Sequence, residues 1–223
     1  MAVRARAGAE NTMSGLQEKT HVSLSLEAAL DRKEGRHAAH VLIHCTDQET
    51  GMFFALMQIR SDGMIGFPGG HVDEEEEISK KGILKALNRE LVEEMALHPD
   101  YHMQHDSDQD FDLQYISCHH NVAADLVCHF FQKEVSVNDL QAIEAGTTTA
   151  ADFVTESLGV FRVPVPRMDS DFDGEKYHQF WSKFWDYPFC GNARDQLVTA
   201  LTRLGVADEQ RILRLVQGSP AAE

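Results

Sequence analysis

Apolar runs broken by polar punctuation divide this chain into short segments of two kinds. Ala39-His40-Val41-Leu42-Ile43-His44 and Met52 to Ile59 are near-continuous apolar runs. Turn residues from Asp47 to Gly51 separate them, and Ser61-Asp62-Gly63 follows the second, which is the pattern of buried strands joined by tight turns. Gly66-Phe67-Pro68-Gly69-Gly70 is too rich in glycine and proline for a regular element. From Ile78 the positions Ile83, Leu84, Leu87, Leu91 and Met95 recur at helical spacing and predict a helix from Ser79 to Ala96, ended before Pro99. Residues 99–112 are polar and acidic and read as a surface loop. Two strands are expected at Leu113–His119 and Ala124–Gln132. A helix follows at Val137–Ala145, opened by Ser136 and closed by Gly146. Glu156–Val165 reads as a strand stopped by Pro164 and Pro166. Short apolar spacings predict helices around Leu24–Leu30, at Asn192–Gly205 and around Ile212 and Leu215. Strands and helices alternate, with helices enough for both faces of a mixed sheet. The expected class is α/β, an α/β/α sandwich. Residues 1–20 lack apolar periodicity and read as a flexible leader, 21–217 as one domain, and 218–223 as a flexible tail.

Composition changes this picture little, and charge changes it more. With 36 acidic and 20 basic side chains the chain carries −16, which opposes non-specific binding to a polyanion over most of the surface. A local basic groove or a metal site that recruits phosphate would still serve RNA. Twelve histidines could bring the charge towards −4, so behaviour near pH 6 should differ from that at pH 8. Cys45, Cys118, Cys128 and Cys190 show no metal or disulfide spacing and read as free thiols of a reducing compartment. No secretory signal and no apolar run of membrane-spanning length is present, so no membrane partner is expected.

Candidate chemistry concentrates on the central helix. Glu90, Glu93 and Glu94 stand at i, i+3 and i+4, on one helical face, while Leu87, Leu91 and Met95 occupy the opposite one. Three like charges this close repel unless a cation sits among them, and Mg²⁺ or Mn²⁺ takes such oxygen ligands. Arg89-Glu90-Leu91-Val92-Glu93-Glu94 by itself reads equally well as a solvated acidic face. The upstream Gly69-Gly70 turn favours a site, because glycine lets backbone approach a ligand closely.

These residues resemble the Nudix hydrolases, whose box has the form G-x5-E-x7-R-E-U-x-E-E-x-G-U with U a bulky aliphatic residue. Arg89 to Glu94 match the core of the box and Leu97 its last position. The chain departs in two places. Gly70 and Arg89 are 19 positions apart rather than 14, so that Lys81 stands where the first box glutamate would fall, and Glu74–Glu77 crowd the enlarged loop; Ala96 also replaces the box glycine. Further stretches resemble the animal branch known for snoRNA and mRNA decapping and for inosine diphosphatase activity. They are His37-Ala-Ala-His40, Leu56-Met-Gln-Ile-Arg60, Gly66-Phe-Pro-Gly-Gly70, Ile143-Glu-Ala-Gly146, Leu158-Gly-Val-Phe-Arg-Val-Pro164 and Gly191-Asn-Ala-Arg-Asp-Gln196, in that order from about residue 35 to 206. The resemblance implies a metal site of Glu90, Glu94, Glu156 and the Gly69 carbonyl, with Glu93 beside it and Glu144 a weaker substitute for Glu156. Either Glu93 or Glu156 would act as base. It implies substrate contacts at His40, Arg60, Phe67, His119 and Gln196, with Phe67 stacking on a base and Arg60 gripping phosphate. The implied substrates are (deoxy)inosine diphosphate or a 5′ cap on RNA, with ADP-ribose conjugates as a further possibility. A homodimer, placed in the nucleus (nucleolus and nucleoplasm) and cytoplasm, is implied as well. The branch also contains a member whose box acids are replaced, which keeps open a catalytically inactive RNA- or protein-binding module.

Three other features invite readings of their own. Asp169-Ser-Asp171-Phe-Asp173-Gly174 begins like a calcium loop, but Phe180 stands where its twelfth-position glutamate should be. His119-His120 suggests zinc, yet adjacent strand residues face opposite ways. The aromatic run 180–189 could stack on RNA bases, with a packed lid or a dimer contact the preferred reading.

Overall fold

A computed structural model of the chain describes residues 21–104, 107–166 and 174–217. The leader, the tail and the calcium-like residues 169–173 lie outside them. One eight-stranded mixed sheet organises the molecule. Its strands are β1 (His21–Ser23), β2 (Arg36–Thr46), β3 (Met52–Arg60), β4 (Ile65–Gly66), β5 (Gly69–His71), β6 (Tyr115–Asn121), β7 (Leu126–Glu134) and β8 (Ser157–Pro166). Helices α1 (Leu26–Leu30), α2 (Lys80–Met95), α3 (Asp108–Gln114), α4 (Val137–Gly146), α5 (Gly174–Trp185), α6 (Ala193–Arg203) and α7 (Glu209–Gln217) cover it. None of the described helices is long and apolar enough to cross a membrane.

Strand alternation sends successive side chains to opposite faces and builds two apolar layers. Val41, Ile43 and Leu56 join Ile83, Leu87 and Leu91 of α2 and Leu140 of α4 on one face. Leu42, Phe53, Met57 and Val163 join Trp181 of α5, Leu197 and Leu201 of α6 and Ile212 of α7 on the other. This is the α/β/α sandwich expected.

Two features position the site. The first is a fork in the sheet. β2 and β3 pair only through His44–Thr46 and Phe53–Ala55. Beyond that they diverge, β2 pairing with β5 (His40 opposite Gly69) and β3 with β4 (Gln58 opposite Gly66). The glycine-rich segment, expected to be irregular, thus contributes two short strands that fill the opening. The second is α2, capped by the Ser79 hydroxyl accepting from the Gly82 N–H. It ends at Ala96 in the left-handed region (φ 52°), the conformation for which glycine is the usual residue.

Three further boundaries differ from expectation. The polar stretch holds α3, because Ser107 caps it and Phe111 is buried beneath it, so the strand begins at Tyr115 rather than Leu113. His21–Ser23, unassigned from sequence, adds an edge strand to β6. The aromatic run starts in the last turns of α5 and continues past its end at Trp185. Trp181 is fully buried with its indole N–H donating to the Pro164 carbonyl, and Phe184 is buried beside it, so these rings are core rather than a lid, while Tyr187 beyond the helix is exposed.

Candidate active site

α2 lies on one face of the sheet, and the fork lets its carboxylates reach the backbone of β5. Gly69 donates its N–H to Glu94 Oε2 at 2.9 Å. A Cβ on Gly70 would lie 2.4 Å from Glu90 Oε2, and one on Gly69 2.2 Å from the Ala39 carbonyl. Both glycines are therefore required by close approach. The contact that Gly69 makes with the acids runs through its N–H, whereas the expectation concerned its carbonyl.

Glu94 is 2% exposed, and burial pushes its carboxyl up to about 7. The Gly69 N–H and the Gln58 side chain oppose that rise, while Glu90 and Glu156 add to it. Gln58 Nε2 is buried and stops short of a hydrogen bond. Glu90 is likewise raised, by burial first, with Arg89 opposing and Glu93 and Glu156 reinforcing. Glu93 is more open and accepts from Arg89 Nη1 at 2.9 Å. Glu156 precedes β8 on an exposed turn; its carbonyl accepts from the Ser61 N–H, and its carboxylate has no side-chain partner among the described residues. The four acids thus share one electrostatic neighbourhood. Glu144 does not join them, being held in a two-pronged pair by Arg162 at 2.5 and 2.6 Å.

Arg89 organises this neighbourhood. It pairs with Asp73, Glu76, Glu90 and Glu93 and donates to the His71 carbonyl, and Glu76 foremost, with Glu90 and Glu93, raises its pKa. Glu76 corrects the reading of the box. Counting forward from Gly70 with the five-residue spacing lands on Glu76, not Lys81, and Glu76 meets Arg89 at 3.2 Å. The extra residues therefore follow Glu76, where they fold against the start of α2. There the Glu77 carbonyl would lie 1.9 Å from a Cβ on Gly82.

The opposite side of the fork is lined by donors. His40 Nδ1 is buried without a partner; burial, then His71 and Arg60, bring its pKa down to about 4. His119 Nδ1 on β6 is also buried and unpartnered, and burial lowers that ring too. At the start of α6, Gln196 (3% exposed) and Asn192 (7%) bury amide nitrogens with no partner. Such orphaned polar atoms are costly unless a ligand or water meets them, and this group makes the front of the fork a candidate binding surface, with Gln58 beside Glu94 on the α2 side. Arg60 sits at its edge, paired with Asp62 at 3.0 Å. Phe67 departs from expectation. It is 4% exposed and packs on Phe130 at 4.7 Å, so its ring belongs to the core beneath the turn rather than to a stacking surface. His120 faces away from His119, bonding Asp125 and Arg32.

Sequence reasoning missed Gln58, Glu76, His71, Cys190 and Asn192. Glu76 could have been found by counting forward. Gln58, Cys190 and Asn192 become visible only through burial and proximity, with Cys190 half-buried and its Cβ 3.6 Å from where a Gly66 Cβ would stand. An open hollow of about 910 Å³ lies at the other end of β2, lined by Asp47, Glu49, Glu134 and Asp139; no candidate site residue reaches it.

The donor set of Glu90, Glu94 and Glu156 is hard oxygen throughout, which suits Mg²⁺ or Mn²⁺, and the raised carboxyls are what a divalent ion would relieve. Among the described residues no three acidic, histidine or cysteine side chains converge tightly enough to enclose an ion, Glu90 being turned to Arg89.

Helices on both faces of a forked mixed sheet, with a glycine turn backed by an acidic helix, define a Nudix hydrolase. A MutT/nudix family protein from Enterococcus faecalis shares the fold at a TM-score of 0.50 and 11% identity, over 82% of this chain and 67% of its own. The family model described as Nudt16-like, U8 snoRNA-decapping enzyme-like, matches residues 37–207, and the chain belongs to that family. It is similar to the U8 snoRNA-decapping enzyme of Mus musculus, with 36% identity over 200 residues, 87% of this chain and 94% of the mouse protein. The Bos taurus enzyme of the same name is 34% identical over 206 residues, 88% and 96% of the two chains.

Proposed function

We propose that this hydrolase cleaves diphosphate linkages with Mg²⁺ or Mn²⁺, acting on (deoxy)inosine diphosphate, on the 5′ cap of snoRNA or mRNA, or on both. The observation that carries the reading is Glu94, a buried carboxyl raised to about 7 beside Glu90 and Glu156 at a glycine-lined opening. Glu90, Glu94 and Glu156, with the Gly69 carbonyl, would hold the metal, which when bound neutralises phosphate oxygens and acidifies water. Arg60 would grip a phosphate, and His40, His119, Asn192 and Gln196 would hydrogen-bond a base edge. Glu156 is the better base of the two candidates, because Glu93 is held by Arg89. It takes the proton from a water aligned with the scissile phosphorus.

The binding-module alternative is disfavoured by the retention of Glu90, Glu93 and Glu94 in one neighbourhood with Glu156. A homodimer in nucleus and cytoplasm is proposed on kinship alone. The test is release of phosphate or nucleoside monophosphate from a nucleotide panel and a capped oligonucleotide, with either metal. Glu90→Gln and Glu156→Gln should each lower turnover by about 10²- to 10⁴-fold with the melting temperature retained. Wild-type turnover in folded Glu90→Gln would refute the site.

A further inference from the structure

The two strands that meet at the fork continue outward past the carboxylates, and a second set of groups stands there. Along the β2–β5 register, Gly69 lies opposite His40, Gly70 opposite Ala39 and His71 opposite Ala38. Glu94 meets the first of these glycines and Glu90 the second. His71 is the next step, and Arg36 follows at the exposed start of β2. At about 3.3 Å per residue, Arg36 stands about 13 Å along the strand from His40. Arg36, Ala38, His40 and His71 share one face of the sheet by alternation, so the unpartnered donor of His40 and this outer pair address the same side.

Arg36 Nη2 lies 3.1 Å from His71 Nε2, and both side chains are exposed. A guanidinium can only donate, so Nε2 accepts and the ring proton sits on Nδ1. Arg32, Arg60, Arg89 and Arg162 each hold an acid. Arg194 and Arg203 donate to backbone carbonyls, whereas Arg36 meets neither a carboxylate nor a carbonyl among the described residues, only His71. The His71 carbonyl is fixed by Arg89, the same side chain that holds Glu90 and Glu93, so the pair is tied to the catalytic helix. Burial and then Arg36 lower the His71 pKa, opposed by Asp73, which is held by Arg89, and by Glu156, with Arg60 adding a little to the fall.

We infer that Arg36 and His71 form a clamp for a phosphate lying beyond the scissile linkage, on the side away from the base pocket, and so fit the site to a 5′-capped oligonucleotide as well as to a nucleoside diphosphate. The inference rests on the proposed hydrolytic reading. Arg36 retains free N–H groups in a planar fork suited to phosphate oxygens, and His71 adds a donor beside it. A guanidinium bonded to His71 but to no carboxylate, at the outer end of the opening past Glu94 and Glu90, meets the chain of an RNA substrate rather than a diphosphate that ends at the acids.

The test compares kcat/KM for a short capped RNA with that for inosine diphosphate, in the wild type, Arg36→Ala, Arg36→Lys and His71→Ala. Arg36→Ala should lower the capped-RNA to diphosphate ratio by about 10- to 100-fold, chiefly through KM, the usual size of a lost charged hydrogen bond. Arg36→Lys should restore part of it. The slope of log(kcat/KM) for capped RNA against log salt should become shallower by about 0.7, as for one lost phosphate contact. An unchanged ratio, or equal losses on both substrates, would overturn the clamp. Anisotropy of a labelled capped oligonucleotide separates the two readings. A wild type that hydrolyses neither substrate refutes the activity, whereas an Arg36→Ala affinity within about twofold of wild type refutes the clamp, since one lost phosphate contact should exceed that.

Discussion

Glu94 occupies a position where a carboxylate is expensive, and its titration gives that cost a sign. Its pKa is about 7 in the folded chain against an ordinary 4.5. An acid raised on folding contributes stability that is complete below 4.5 and is lost as pH rises through 7, because the folded state must then bury a charge. Glu94→Gln should therefore stabilise the metal-free protein at pH 8, by on the order of 2 kcal/mol, while abolishing turnover. Urea unfolding at pH 8 checks this, and a destabilised variant would show that the carboxylate is better satisfied than its burial suggests. The acids themselves were legible from the chain, since their 1, 4, 5 spacing in a strongly periodic helix leaves one arrangement open. Phe67 was not, because an aromatic in a glycine turn can face core or ligand and only packing against Phe130 decides. Nor were Gln58 and Asn192, whose significance lies in having no partner when buried.

At the level of elements, long periodic segments and their caps could be read directly, and α2, α4 and α6 lie within a few residues of expectation. Short elements fail for a physical reason: two or three residues carry too little pattern, and their partners decide. β4 and β5 exist because the diverging edges of β2 and β3 need hydrogen-bond partners, and β5 accepts glycines there because nothing larger fits. α5 illustrates the converse, an aromatic-rich segment whose rings supply core area and not a movable cover. Trp181→Ala should cost about 3–5 kcal/mol of stability. The folded fraction should retain its KM, measured below the lowered melting transition; a raised KM without loss of stability would restore the lid.

For the molecule as a whole, buried histidines set the response to acid. His37 Nε2 donates to the Arg32 carbonyl at 3.0 Å, leaving His37 Nδ1 to accept from His129 Nε2 at 3.0 Å, a relay that works only with both rings neutral. Burial lowers both, His129 to about 3, and it lowers His44 as well. A base depressed on folding stabilises the protein above its unfolded pKa of about 6.5 and loses that contribution as pH falls towards the folded value. Fully buried His129 alone accounts for up to about 1.4 kcal/mol per pH unit below 6.5. Glu94 and Glu90 work in the opposite direction, but they are two groups against several. Urea midpoints measured at pH 7.5, 6.5 and 5.5 should fall steeply over the last step, and a flat profile would show these rings to be solvated.

The divided sheet has a wider implication. On the proposed reading, Glu90 and Glu94 come from a helix behind the strands and Glu156 from the turn before β8, while the groups proposed to contact the base belong to the front. If that reading holds, substitutions in front would alter which molecule is accepted while leaving the acids of α2 and their glycine contacts intact.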